Sequence, residues 1–162
     1  ALGILFDPDA AEAAHKTGVG KTITLGLGGE PTLGDRPFEG TFNIDSLSNG
    51  NLTVKGPMMR GANISLGPTA CLRIDGVSIV VGSSKVQMLD RELYRVAGVE
   101  PEKMKILVNK SSVHFRADFT HIAHSILVAE SPGPMIADPI NFPWKNLTPG
   151  IRIRPNGPVF EG

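Results

Sequence analysis

Three of this chain's four histidines, His114, His121 and His124, lie close together in Lys110-Ser-Ser-Val-His-Phe-Arg-Ala-Asp-Phe-Thr-His-Ile-Ala-His124. Imidazoles and carboxylates exchange protons or ligate zinc, so this is where chemistry is first sought. On a helix turning about 100° per residue, His114, Asp118 and His121 share one stripe. Phe115, Phe119, Ile122 and Ile126 form a separate apolar stripe. The polar stripe reads either as three zinc ligands at i, i+4 and i+7 or as a solvated face, and the solvated face is the commoner outcome for such a pattern. His121-Ile-Ala-His124 lacks the glutamate of H-E-x-x-H, so the base of that motif is missing. Arg116 points away from both stripes, where a guanidinium could clamp a carboxylate or sit at the surface.

The elements that must position these groups follow from the flanking pattern. Lys105-Ile-Leu-Val-Asn109 reads as a buried strand and residues 114–124 as a helix. Lys110, Ser111, Ser112 and His114 therefore stand at the carboxyl end of a strand, where α/β proteins place their ligands. A further strand is expected over Ser125–Ala129. Upstream, Leu2–Phe6 is a fully apolar strand, followed by an Ala-rich helix to Thr17, N-capped by Asp7 or Asp9 and closed by Gly18. Thr22–Leu27 and Phe38–Ile44 alternate as strands do. Asn49-Gly50 and Asp75-Gly76 signal tight turns, and Leu52–Lys55, Asn63–Leu66, Ala70–Ile74 and Val77–Val81 read as an antiparallel meander. A short helix over Asp90–Ala97 ends at Gly98.

Two glycine-rich motifs invite a phosphate-binding reading. Gly18-Val-Gly-Lys-Thr22 resembles the end of a P-loop, but His15 occupies the position of the first required glycine. A helix precedes this motif and a strand follows it, so the negative end of the helix dipole would face a phosphate. A helix C-cap explains the residues better. Gly26-Leu-Gly-Gly29 is better read as a turn than as an anion cradle.

The sixteen basic and sixteen acidic residues cancel. That balance removes the long-range attraction on which non-specific nucleic-acid binding depends. No apolar run approaches the ~18 residues of a membrane span. The lone Cys71 cannot form an internal disulfide, so the expected compartment is cytoplasmic. The 19 glycines and 13 prolines require many turns and short elements. The expected fold class is α/β with α+β character: a mixed sheet with an antiparallel meander in the middle, few short helices, and a Pro-rich extended tail. The expected division is a domain over 1–130 and a tail over 131–162. The chain enters its apolar strand directly at Ala1-Leu2, so a piece of a longer protein is expected.

Lys105-Ile-Leu-Val-Asn-Lys-Ser-Ser-Val-His-Phe-Arg-Ala-Asp-Phe119 resembles the K-I-L-V-V-K-S-x-x-H-F-R-A-x-F signature of the MlrC family C-terminal domain. Phe6-Asp-Pro-Asp-Ala-Ala11, Gly56-Pro-Met-Met-Arg-Gly61, Leu66-Gly-Pro-Thr-Ala70 and Val86-Gln-Met-Leu-Asp90 resemble it too, in collinear order to about Asn146. Asn109 departs from the family's usual apolar residue, and the D-N-P-G-G-G segment that usually precedes the first strand is missing. The resemblance implies part of a bacterial zinc metallopeptidase or amide hydrolase, in a family named for microcystin degradation. It also implies that the zinc lies in a larger N-terminal domain of the same protein, which this chain lacks. No metal ligand is then expected in this chain, with the His114/Asp118/His121 stripe as the alternative. His114 and Arg116 become the catalytic candidates, and Lys110 and Ser111 the contacts to a peptide or amide substrate. The isolated chain is expected to be inactive. A non-catalytic binding module, presenting the same stripe to a partner, is the alternative of a different class.

Overall fold

In a computed structural model the chain is described at residues 1–29, 36–130, 136 and 138–161. It divides into two compact units, Ala1–Ile126 and Leu127–Gly162. The first is built on β1 (Leu2–Phe6), α1 (Pro8–Thr17), β2 (Thr22–Leu27), β3 (Phe38–Ser48), β4 (Asn51–Thr53), β5 (Asn63–Ser65), β6 (Thr69–Ile74), β7 (Val77–Gly82), α2 (Glu92–Arg95), β8 (Val108–Asn109) and α3 (Arg116–Phe119). A six-stranded sheet runs in the order β2-β3-β6-β7-β1-β8, and β4 and β5 form a separate ribbon. The β2-β3-β6-β7 part is antiparallel, while β1 lies parallel to both β7 and β8. The mixed sheet, the antiparallel middle and the few short helices agree with the fold class read from the sequence.

Apolar packing on both faces explains why the central strands alternate so little. Ala70, Leu72, Ile79 and Val81 face α1 and join Phe42, Ile44 and Leu27. Cys71 and Val80 face the other way, with Ile4, Met88, Leu93, Tyr94 and Phe119. A strand covered on both sides must be apolar at consecutive positions. On α1 the buried residues are Ala10, Ala11 and Ala14, whose small side chains let the helix lie close against the sheet. Asp7 caps this helix by accepting from Ala10 N at 3.0 Å, and Gly18 closes it with φ 96°.

The two turn dipeptides do different jobs. Asp75 and Gly76, at φ 47° and 81°, join the paired residues Ile74 and Val77 as a two-residue hairpin. Positive φ at both central positions is the type I′ geometry that matches strand twist. Asn49-Gly50 does not form the expected hairpin. It turns the chain out of the six-stranded sheet into the β4–β5 ribbon, and Gly50 O accepts from Leu66 N at 3.0 Å. A Cβ on Gly50 would lie 2.2 Å from Gly67 O, so the glycine answers a close backbone approach as well as a positive φ.

The last third of the first unit is less regular than its sequence pattern suggests. The helix expected over 114–124 is a single turn, α3, flanked by non-repeating turns. The strand expected over 105–109 pairs only at Val108–Asn109, and no strand forms over 125–129. Apolar content alone misled there: Ile106 is 72% exposed and Leu127 92%. In the second unit, Arg152 and Val159 form an isolated antiparallel bridge, and Phe142 stacks obliquely on Trp144 at 5.6 Å. No helix among the described residues is long and apolar enough to cross a membrane.

Burial raises the Cys71 thiol to about 11. At pH 8 it should therefore react with a thiol reagent far more slowly in native protein than in denaturant-unfolded protein. Equal rates in the two states would contradict the packing described for β6.

Candidate functional site

Because β7, β1 and β8 are adjacent and parallel, their carboxyl ends open on the same edge of the sheet. Asp7 follows β1, Ser83-Ser-Lys85 follows β7, and Lys110-Ser-Ser-Val-His114 follows β8. This is the edge at which open α/β sheets bind ligands. Backbone bonds knit the segments together: Asp7 N donates to Gly82 O at 3.0 Å, Lys110 N to Gly3 O at 2.9 Å and Met88 N to Lys110 O at 3.2 Å. Lys85 Nζ stands 5.0 Å from the centre of the Phe6 ring. Gly28 N donates to Asp7 Oδ2 at 3.1 Å, so that amide of the glycine loop is satisfied within the protein.

The sequence candidates fall into two groups. Lys110, Ser111 and His114 gather at this edge. His114 Nδ1 lies 2.7 Å from Gln87 Oε1, and Ser111 Oγ lies 3.5 Å from the same oxygen while accepting from Phe115 N at 3.3 Å. Arg116, two residues after His114, is exposed, with its guanidinium 5.2 Å from the centre of the Phe115 ring. Asp118 and His121 behave differently from the stripe expected of them. Only one turn of regular helix, α3, lies within this stretch, and Asp118 turns inward from it. Asp118 is 3% exposed, and His121 Nε2 reaches no closer than 3.9 Å to Asp118 Oδ1.

Asp118 is held by Arg91. Its Oδ2 accepts from Arg91 N at 2.8 Å and Nε at 3.1 Å, and its Oδ1 from Arg91 Nη2 at 3.1 Å. Burial opposes the charge on Asp118, but these bonds and the nearby cation outweigh it and hold the carboxyl below its usual range. A second buried carboxylate, Asp90, accepts from Lys55 N at 3.1 Å, Gly56 N at 2.5 Å and Glu92 N at 2.8 Å. Gly56 lies between the two: a Cβ there would sit 2.7 Å from Asp90 Oδ2 and 2.9 Å from Asp118 Cγ. Arg91 continues to Glu102 at 2.6 Å, and Arg95 bridges Glu92 at 2.7 Å and Glu102 at 2.5 Å. The network ties the loop 54–61, α2 and α3 together beneath the edge that carries His114.

Gln87, Lys85, Asp90 and Arg91 escaped the sequence reading as functional or positioning residues. A partial signal existed for Gln87. It is the one polar residue between Val86 and the buried Met88 and Leu89. Its partner twenty-seven residues later carried no local signal.

The family model described as MlrC C-terminus matches residues 1–146. The chain belongs to the MlrC C-terminus family. A member's relatives extend well beyond this part. Microcystinase C of Sphingomonas sp is 26% identical over 133 residues, covering 80% of this chain and 25% of that protein. A crystal structure from Mesorhizobium sp. BNC1, named "Putative metallopeptidase", superimposes with a TM-score of 0.67 at 26% identity, covering 75% of this chain and 24% of that one. This MlrC C-terminus chain thus spans about a quarter of the length of the relatives it matches.

A metallopeptidase relative implies a metal. Among the described residues no group of three or more His, Cys, Asp or Glu side chains could hold one. The donors of the expected stripe do not fit either, since the Asp118 carboxylate is enclosed by Arg91. No catalytic step through a metal is therefore derived from these residues.

Asp118→Asn should destabilise the fold by about 2–4 kcal/mol, because it uncouples a buried carboxylate from its guanidinium. A carboxyl whose folded pKa is depressed stabilises above its unfolded value and ceases to do so as pH falls through the folded value. The gap in urea stability between wild type and Asp118→Asn should accordingly narrow below about pH 4. Gly56→Ala should cost about 1–3 kcal/mol by overpacking against both carboxylates, as read from the same urea midpoints.

Proposed function

We propose that this chain is the C-terminal part of an MlrC-like zinc-dependent metallopeptidase or amide hydrolase, contributing substrate contacts to a cleft shared with a larger metal-binding domain. The observation that carries this reading is the gathering of Lys110, Ser111 and His114 on the carboxyl edge of three parallel strands in a chain of this family. The metal, zinc by the family resemblance, would supply Lewis-acid and water-activating chemistry from that other domain. Lys110 and Ser111 contact the substrate. The imidazole of His114 exchanges a proton with the reacting group, and the exposed guanidinium of Arg116 meets negative charge developing on an amide oxygen. The exposed apolar side chains Ile106, Val108 and Val113 flank these residues in sequence and support a packed neighbour there. The substrate class is a peptide or amide-bearing small molecule. Degradation of microcystin and a bacterial cytoplasmic setting belong to the same reading, the former supported by the name of the Sphingomonas relative.

The test uses the longer protein and this chain side by side. Stoichiometric zinc and amide hydrolysis are expected in the longer protein and neither in the 162-residue chain. Zinc bound stoichiometrically by the short chain would overturn the assignment of the metal. In the longer protein, His114→Ala should lower kcat by more than ~10-fold, whereas an unchanged rate would make His114 structural.

A further inference from the structure

We propose that Gln87 is a positioning residue that selects the tautomer of His114, leaving Nε2 as the nitrogen able to take a proton. This rests on the reading of His114 as the proton-exchanging group. A primary amide presents an acceptor oxygen and a donor nitrogen, and here the oxygen is the atom facing the imidazole. With Oε1 at 2.7 Å, the hydrogen of neutral His114 belongs on Nδ1, which donates to the amide. The lone pair then belongs to Nε2. The same oxygen lies 3.5 Å from Ser111 Oγ, whose hydroxyl donates to it. Ser111 Oγ already accepts from Phe115 N, which leaves its hydroxyl hydrogen to donate to Oε1 and favours the amide with its oxygen towards His114.

The surrounding backbone explains why the pair is held. Met88, next to Gln87, is fully buried and its N–H is bonded to Lys110 O at 3.2 Å. Ser111, next to Lys110, accepts from Phe115 N at 3.3 Å and so fixes the turn that carries His114. Gln87 and His114 thus project from two segments already joined to each other. When Nε2 accepts a proton, the imidazolium keeps its Nδ1–H on the amide oxygen, so the contact survives both protonation states. This is the logic by which a hydrogen bond at one ring nitrogen assigns the role of the other.

Nitrogen NMR on ¹⁵N-histidine-labelled 162-residue chain reads the tautomer directly, with the His114 signals assigned by their loss in His114→Asn. Wild type should carry its hydrogen on Nδ1. Gln87→Met, of similar length with no acceptor, should move the population towards Nε2–H, and Gln87→Glu, whose carboxylate only accepts, should restore Nδ1–H. A hydrogen on Nε2 in wild type would overturn the proposal without any variant, as would a Gln87→Met spectrum identical to wild type. In the longer protein, Gln87→Met should lower kcat by about 10-fold with KM little changed, and Gln87→Glu should recover it. If the tautomer responds as expected while His114→Ala leaves kcat unaltered, the catalytic reading of His114 fails and the positioning by Gln87 stands.

Discussion

Two carboxylates removed from water, Asp90 and Asp118, organise the irregular half of this domain. Carboxyl groups buried in this way require a full set of hydrogen-bond donors, because a polar group left unpartnered away from water costs more than one hydrogen bond returns. Asp90 collects three backbone amides from the loop after β4 and the start of α2. Asp118 collects the guanidinium and backbone amide of Arg91. Adjacent residues thus bring the two together, with Gly56 as the spacer that admits both. Short helices of four residues cannot hold themselves in water. Here α2 and α3 are held through these bonds and through the burial of Leu93, Tyr94 and Phe119.

The candidate edge depends on that arrangement at one remove. β8 has only two residues, too few to fix by pairing alone the direction of the chain that leaves it. Tyr94 supplies further anchorage: its hydroxyl donates towards Asn109 Oδ1 at 3.0 Å and lies 3.2 Å from Val108 O. Asn109, the one departure from the family's usual apolar residue at this strand end, is thereby accounted for as the partner of a buried phenol. Gly3 completes the packing, since a Cβ there would lie 2.9 Å from the Tyr94 ring. A polar strand end, a buried tyrosine and a glycine in the neighbouring strand form one fitted unit beneath the segment that carries His114.

What could be read from the sequence divides along the same line. The boundaries of β1, α1, β2, β6 and β7 follow from local signals: apolar runs, an Asp-Pro cap, a closing glycine and the Asp75-Gly76 turn. Their physics is short-range, so a window of residues contains it. The segment 105–129 has equally strong apolar and amphipathic patterning, yet it forms one turn of helix and two strand residues. Its conformation is decided by Arg91, Gln87 and Gly3, all distant in sequence. Asp118 shows the point most clearly. By periodicity it belongs with His114 and His121, while in the fold it belongs to Arg91. For the site, the strand-end argument pointed to Lys110–His114, whereas Gln87, which lies against His114, is twenty-seven residues away and showed nothing that linked the two.

The place of β1 in the sheet has a kinetic consequence. Leu2 is matched to Ile79 on one side and to Val108 on the other, so this strand finds both its neighbours only across long stretches of chain. Closing such loops costs entropy before any contact repays it, which makes parallel, non-local pairing slow. The antiparallel strands β6 and β7, joined by two residues, can form early and wait. Within this sheet β1 precedes both its partners in sequence, so in the nascent chain it waits for β7 to cover one edge and for β8 to cover the other, which exposes an apolar segment to misassociation in the meantime.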